Sequence, residues 1–283
     1  LGTDGCTMTG RILPAGEARD SEPWASGSKT AAATLLLAPN PSAWTLDGTN
    51  TWLVGSPGSG QAIVVDPGPA DLVHLERIVA QGLAVDSPVT AIVLTHGHAD
   101  HSAGARLLAD MTGAEVRAVD PEHRLGSEGL VGGEVITAGS LEVRVVATPG
   151  HTSDSVCLLI ESEGSLLTGD TVLGRGTTVV AWPDGELGPY LESLRHLREL
   201  AGENRIQRIL PGHGPLLLNP GQVLDGYLEH RRVRLDEVRS AVSRGITDPL
   251  AIVAEVYAAT PKALWPAAEM SVRAQLAYLA AED

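Results

Sequence analysis

No phenylalanine occurs among the 283 residues, aromatics make up only 3%, and lysine is confined to Lys29 and Lys262. Without Phe, the apolar volume of any core must come from Leu, Val, Ile and the five Trp. Two cysteines, Cys6 and Cys157, are too few for a disulfide framework. Cys157 lies in the apolar run Ser155-Val156-Cys157-Leu158-Leu159-Ile160, which marks it as a buried structural thiol. A formal net charge of −15 argues against a large nucleic-acid surface, because phosphate binding needs dense Lys and Arg. The one basic run, His230-Arg231-Arg232-Arg234, falls in a predicted helix and reads as a solvated, salt-bridged face rather than a substrate site. Net charge is a poor guide to a local groove, so RNA is disfavoured as a partner without being excluded. No apolar stretch reaches 18 residues, and no basic segment followed by an apolar one opens the chain. The expectation is a soluble, cytoplasmic protein without a membrane partner, and the opening on Leu1 suggests processing.

What is present is a globular composition, 43% hydrophobic and 19% charged. The length leaves room for one α/β core of about 200 residues and a small appendage. Residues 1–28 are rich in Gly, Ser, Pro and Glu, show no periodicity and are expected to be flexible or to drape over the surface. From residue 29 to 220 strands dominate, with predicted strands at 34–38, 51–55 and 62–66 and helices at 71–80 and 187–200. From 221 to 283 the pattern is helical only. Leu224, Leu228, Leu235, Val238 and Val242 recur at helical spacing until Gly245, Thr247 and Thr260 read as N-caps, and Pro266 interrupts the next segment before a last helix.

Chemistry concentrates at the ends of four apolar runs. Ala91-Ile92-Val93-Leu94 reads as a buried strand and leads into Thr95-His96-Gly97-His98-Ala99-Asp100-His101, with a helix expected from Ser102 to Leu108. The run from Leu141 to Val146 leads to Pro149-Gly150-His151, that from Gly164 to Thr168 to Gly169-Asp170, and that from Ile206 to Leu210 to Pro211-Gly212-His213. A strand end is where a rigid sheet can hold metal ligands in place. Seven oxygen and nitrogen donors, His96, His98, Asp100, His101, His151, Asp170 and His213, suit a pair of divalent metals. Imidazole with carboxylate favours two Zn²⁺ per chain, with iron or manganese as alternatives.

The order His-x-His-x-Asp-His, Pro-Gly-His, Gly-Asp, Pro-Gly-His resembles the metallo-β-lactamase superfamily, in particular the branch with glyoxalase II, RNase Z and the quorum-lactone hydrolases. The resemblance covers residues 31 to 220. Thr45 to Thr51, the run Thr148 to Ser155 and the helical C-terminal extension are similar to the β-lactamase-like protein 2 subfamily. The fold this implies is an αββα sandwich, built of two similar halves, with a small winged-helix-like helical extension that walls the active site or mediates homodimer pairing. It implies one metal on His96, His98 and His151, a second on Asp100, His101 and His213, and Asp170 between them. A bridging water, acidified by two cations, would supply the hydroxide nucleophile, with Asp100 as the catalytic group that takes and returns its proton. The partners that orient the histidine rings are not identifiable from the residues.

His98 stands where oxygen-reducing di-iron members carry glutamate, which favours hydrolysis over redox work. Asp170 stands where many true β-lactamases place Cys or Ser, which makes a dedicated β-lactamase role less favoured. Asn50, near a loop that family members place beside the metals, is read as either a turn residue or a substrate contact. Arg175 is read as an ion-pair partner or a cradle for a substrate carboxylate or phosphate. The favoured reading is a binuclear zinc hydrolase of an ester, thioester or lactone bond in a small metabolite. The alternatives are a single-strand endoribonuclease and, behind both, a non-enzymatic scaffold.

Overall fold

The computed structural model describes residues 27–126 and 129–282. The segment expected to be flexible therefore lies, up to position 26, outside the described residues, as does Cys6. Gly27 and Ser28 are described, and both hydrogen-bond to the backbone of Leu35.

Strands β1 (Ala33–Leu37), β2 (Asn50–Val54) and β3 (Ala62–Val65) lead to helix α1 (Leu72–Ala84) and strand β4 (Val89–Val93). A single turn α2 (Ala99–Ser102), helix α3 (Ala105–Thr112) and strand β5 (Glu115–Arg117) complete the first half. The second half holds β6 (Val135–Ala138), β7 (Leu141–Ala147), β8 (Val156–Ile160), β9 (Ser165–Gly169), α4 (Leu187–Gly202), β10 (Arg208–Pro211) and β11 (Leu217–Leu218). Helices α5 (Pro220–Ser243), α6 (Pro249–Val256) and α7 (Trp265–Glu282) follow.

Two sheets form, with strand orders β1-β2-β3-β4-β5 and β11-β10-β9-β8-β7-β6. Side chains alternate across each strand, so a strand covered on both faces must be apolar at every position. On β3, Ile63 and Val65 enter the core between the sheets, whereas Ala62 and Val64 face α1 and α3. On β8, Val156, Leu158 and Ile160 face the inter-sheet core, and Cys157 and Leu159 face α4 and α5. The layers are therefore helix, sheet, sheet, helix. Trp52 fills part of the central core and its indole N–H donates to the Pro211 carbonyl at 3.1 Å, which satisfies a polar group that burial would otherwise strand. Cys157 is a free, buried thiol, and burial pushes its pKa up to about 11.

The C-terminal helices carry a small core of their own, with Val238, Ala241, Ile252, Val253, Ala268 and Val272. Three sequence expectations shift here. The N-cap of α6 is Asp248 rather than Thr247, because its carboxylate accepts from Ala251 N at 2.8 Å and Pro249 behind it has no N–H to satisfy. Thr260 caps no helix; Pro261 precedes a short 3₁₀ turn instead. Pro266 does not interrupt a helix, since it sits in the first turn of α7, where a missing N–H costs nothing. The helix expected from Ser102 to Leu108 is likewise two pieces, broken at Ala103 and Gly104.

His74, on α1, is buried with Nε2 3.0 Å from Thr51 Oγ1, and burial, helped by the Arg77 charge, pushes its pKa down to about 4. An unfolded histidine titrates near 6.5, so the unfolded chain takes the proton first as the pH falls from 6.5 to 4, and stability present above 6.5 is lost across that window. Urea midpoints of the metal-free protein should therefore fall across it, and fall less in His74→Gln. Equal pH slopes in the two proteins would contradict this.

Candidate metal centre

Strands β9 and β10 are parallel, and β7 and β9 both run antiparallel to β8, so the C-terminal ends of β7, β9 and β10 share one edge of the second sheet. Across the gap, Val156 N donates to Thr95 O at 2.8 Å and fixes the end of β4 against the same edge. The four loops that leave these strands meet there. The ligand atoms fall into three overlapping groups, His96-His98-His151, His96-His101-Asp170 and Asp100-His101-His213, each within 4.8 Å.

In the first cluster His98 Nδ1 lies 3.0 Å from His96 Nε2 and 3.1 Å from His151 Nε2. In the other, His213 Nε2 lies 3.2 Å from His101 Nε2 and 3.1 Å from Asp100 Oδ2. Asp170 stands between them. Its Oδ1 is 3.4 Å from His101 Nε2 and 3.5 Å from His213 Nε2, and its Oδ2 is 3.8 Å from His151 Nε2.

These atoms fit divalent cations better than hydrogen bonds. His96 Nδ1 faces Thr95 Oγ1 at 3.0 Å and His151 Nδ1 faces the Val179 carbonyl at 2.7 Å. If each Nδ1 donates its proton there, both Nε2 lone pairs point at His98 Nδ1, which has at most one proton to give. Asp170 Oδ1 is buried without a hydrogen-bond partner. A tetrahedral zinc with donors at about 2.0–2.1 Å holds them roughly 3.3 Å apart, close to the spacing observed.

Charge is distributed to match. Burial alone would raise the Asp170 pKa, but the charges of His213 and His101 hold it well below the usual carboxylate range. Burial works to lower His101, and the carboxylates of Asp170 and Asp66 outweigh it and hold its pKa well above the ordinary value. His96 goes the other way, pushed down by burial and by the neighbouring His101 and His151. Asp100, the more open of the two candidate-ligand carboxylates, is held below its ordinary value because the His213 bond and the His101 charge overcome its burial.

The groups that orient the rings are absent from the sequence reading. Asp66 accepts from Thr95 N at 2.8 Å and from Thr95 Oγ1 at 2.7 Å, and His101 Nδ1 lies 2.8 Å from the same carboxylate. Thr95 Oγ1 in turn meets His96 Nδ1, so one buried carboxylate orients a histidine of each cluster. The Gly48 carbonyl does the same for His213, with Nδ1 at 3.1 Å. Close approach also matters: a Cβ on Gly212 would stand 2.8 Å from both Asp170 Oδ1 and His101 Cε1. A Cβ on Gly97 would crowd His123 Nε2 and stand 3.4 Å from Asp154 Oδ2, two further polar groups beside the loop that carries His98.

Of the two residues read in alternative ways, Arg175 makes the ion pair and Asn50 is neither a turn residue nor open to a substrate. Asn50 is fully buried, and its amide donates to the carbonyls of Pro211 at 2.9 Å and Gly214 at 2.8 Å. It braces the His213 loop and is not exposed to a substrate. Arg175 is half exposed and pairs with Asp47 at 2.5 Å, a surface ion pair worth at most about 1 kcal/mol. Its guanidinium is committed to Asp47 rather than open as an anion cradle.

A family model described as Metallo-beta-lactamase superfamily matches residues 44–213, and one described as Beta-lactamase associated winged helix domain matches residues 249–283. The chain is 33% identical over 274 residues to a Beta-lactamase-like protein 2 homolog of Drosophila melanogaster, covering 89% of each. It is 32% identical over 263 residues to the Caenorhabditis elegans protein of the same description, covering 88% of this chain and 84% of that one. Among solved structures, a beta-lactamase domain protein from Burkholderia ambifaria superposes with a TM-score of 0.73 at 25% identity, over 93% of this chain and 91% of that one.

Because Asp66 orients rings in both clusters, Asp66→Asn should weaken metal binding about 10–100-fold, as removal of such a partner does elsewhere. Competition with a chromophoric chelator reads this directly, and an unchanged affinity would count against the role assigned to Asp66.

Proposed function

The chain belongs to the metallo-β-lactamase superfamily of metal-dependent hydrolases, and on that premise we propose that it cleaves an ester, thioester or lactone bond of a small metabolite at a binuclear zinc site. The observation that carries the binuclear reading is Asp170, whose two oxygens face two different histidine clusters. His96, His98 and His151 would hold one cation and Asp100, His101 and His213 the other, with Asp170 shared. Bound cations supply Lewis acidity there, which lowers the pKa of a coordinated water toward neutrality and polarises the bond to be cut.

The chain's own groups account for orientation and proton movement. Asp66, Thr95, Val179 and Gly48 fix which nitrogen of His101, His96, His151 and His213 faces the centre. Asp100 turns Oδ2 toward His213 and His101, which leaves Oδ1 as the atom to take a proton from water and return it to the leaving group. Ionised at neutral pH, that carboxylate has the vacant site a proton acceptor needs, and the neighbouring His213 and His101 keep it in that form.

Acyl substrates are favoured over RNA by charge. With 35 acidic against 20 basic side chains, the chain offers a polyanion little, and in its one basic helix the exposed Arg232 and Arg239 are already paired with acids of that helix. No helix among the described residues is long and apolar enough to cross a membrane, and the cytoplasm is the compartment we assign. A homodimer paired through the C-terminal helices remains part of this reading.

Metal-loaded protein assayed on esters, thioesters, lactones, lactams and single-stranded RNA should turn over a member of the first three classes. Asp100→Asn should lower that kcat by about 10²–10⁴, the range expected of a lost proton carrier. Cleavage of RNA by a preparation inert toward every acyl substrate would replace this proposal with the endoribonuclease.

A further inference from the structure

Arg231 breaks the expectation of a solvated basic face. Arg232 conforms, pairing with Glu229 and Asp236, whereas the half-buried Arg234 pairs with Glu237 and lies over the Tyr257 ring. Arg231 is 5% exposed and has no carboxylate partner among the described residues. Its Nε also lacks a hydrogen-bond partner. Burying a cation without a counter-charge is costly, and such a group is retained where its geometry does something that an apolar residue would not.

Its contacts say what that is. The guanidinium lies 4.9 Å over the Tyr190 ring, and Nη2 donates to the Thr178 carbonyl. Thr178 Oγ1 donates to the Asp170 carbonyl at 2.6 Å, and the next carbonyl along, that of Val179, faces His151 Nδ1. One turn earlier on α5, the Tyr227 hydroxyl accepts from Leu173 N at 2.8 Å, and Tyr190 donates to the Thr171 carbonyl at 2.7 Å. The segment from Thr171 to Val179 is thus gripped at both ends by two residues four apart on one face of α5, with Tyr190 of α4 beneath.

We propose that Arg231 is a positioning residue for the metal centre: it holds the 178–179 backbone so that the Val179 carbonyl receives His151 Nδ1–H, leaving the His151 Nε2 lone pair for the first cation. The C-terminal helical unit is then part of the assembly of the metal site. This inference rests on the metal-centre reading above, and its test separates the two.

The test uses Zn²⁺ alone, titrated into the full metal-free chain against a chromophoric chelator, together with ¹⁵N-histidine spectra of the metal-free protein. In the wild type the His151 signal should show an Nδ1-protonated ring with a slowly exchanging proton. Arg231→Met should weaken one Zn²⁺ equivalent about 10–100-fold, leave the other within about two-fold, and speed exchange or mix the tautomers of His151. Arg231→Lys, which keeps the charge and one donor but not the fork, should fall between. A purely structural arginine would lower the unfolding midpoint of Arg231→Met while leaving both equivalents and the His151 spectrum at wild-type values, and that result overturns the proposal. If Arg231→Met does not fold, Arg231→Lys carries the same decision: wild-type Zn²⁺ affinity and His151 exchange overturn it. A wild type that takes up a single equivalent sinks the binuclear reading instead, and the His151 spectra of the metal-free variants still decide on Arg231.

Discussion

One buried carboxylate anchors the centre. Asp66 sits just past the end of β3 with a left-handed backbone, φ 52°, a conformation that a non-glycine residue holds only when its surroundings impose it. Those surroundings are Thr95, on the loop after β4, and His101, in the turn α2 that follows it, β4 being the parallel neighbour of β3. The twin bonds to the Thr95 amide and hydroxyl lock the start of that loop, and the bond to His101 locks the turn at its end. Three candidate ligands between or beside these points, His96, His98 and Asp100, inherit their placement. With both oxygens committed, Asp66 holds the rings while itself lying outside the ligand set.

The second sheet orients its rings with a different kind of acceptor. Its oriented rings are tied to backbone carbonyls, Val179 for His151 and Gly48 for His213, so each depends on the course of a loop rather than on a side chain. Loops need bracing to serve in this way. Asn50 braces the His213 loop, and α5 braces the segment that carries Val179. The rings after β4 are thus held by the parallel β3/β4 pair, His151 by the α5-braced segment, and His213 by β2 and the loop that precedes it.

Much of this was legible in the residues because it is local. His96 to His101 lie within six positions after a β-branched run, and the Gly-flanked His151, Asp170 and His213 each close a strand, so donor type and strand end coincide in the sequence. The ring-orienting groups were not legible, since Asp66 reaches His101 across 35 positions and carbonyls carry no side-chain signature. Asn50 misled because a polar residue beside a site looks the same whether it points out or braces the wall. Arg231 misled because it sits among exposed arginines, although its position gives it away: with Leu224, Tyr227, Leu235 and Val238 it completes the buried stripe of α5 at helical spacing. Thr247 and Thr260 misled for a simpler reason, that an adjacent Asp248 caps better and that a cap needs a helix to follow.

The central claim is that two cations share Asp170 in the space where these four loops meet. Anomalous diffraction at the zinc edge from Zn²⁺-loaded crystals tests it most directly. Two peaks about 3.5–4 Å apart, one on either side of Asp170, are the predicted result. A single peak, or peaks away from the His96 and His213 clusters, would contradict the account.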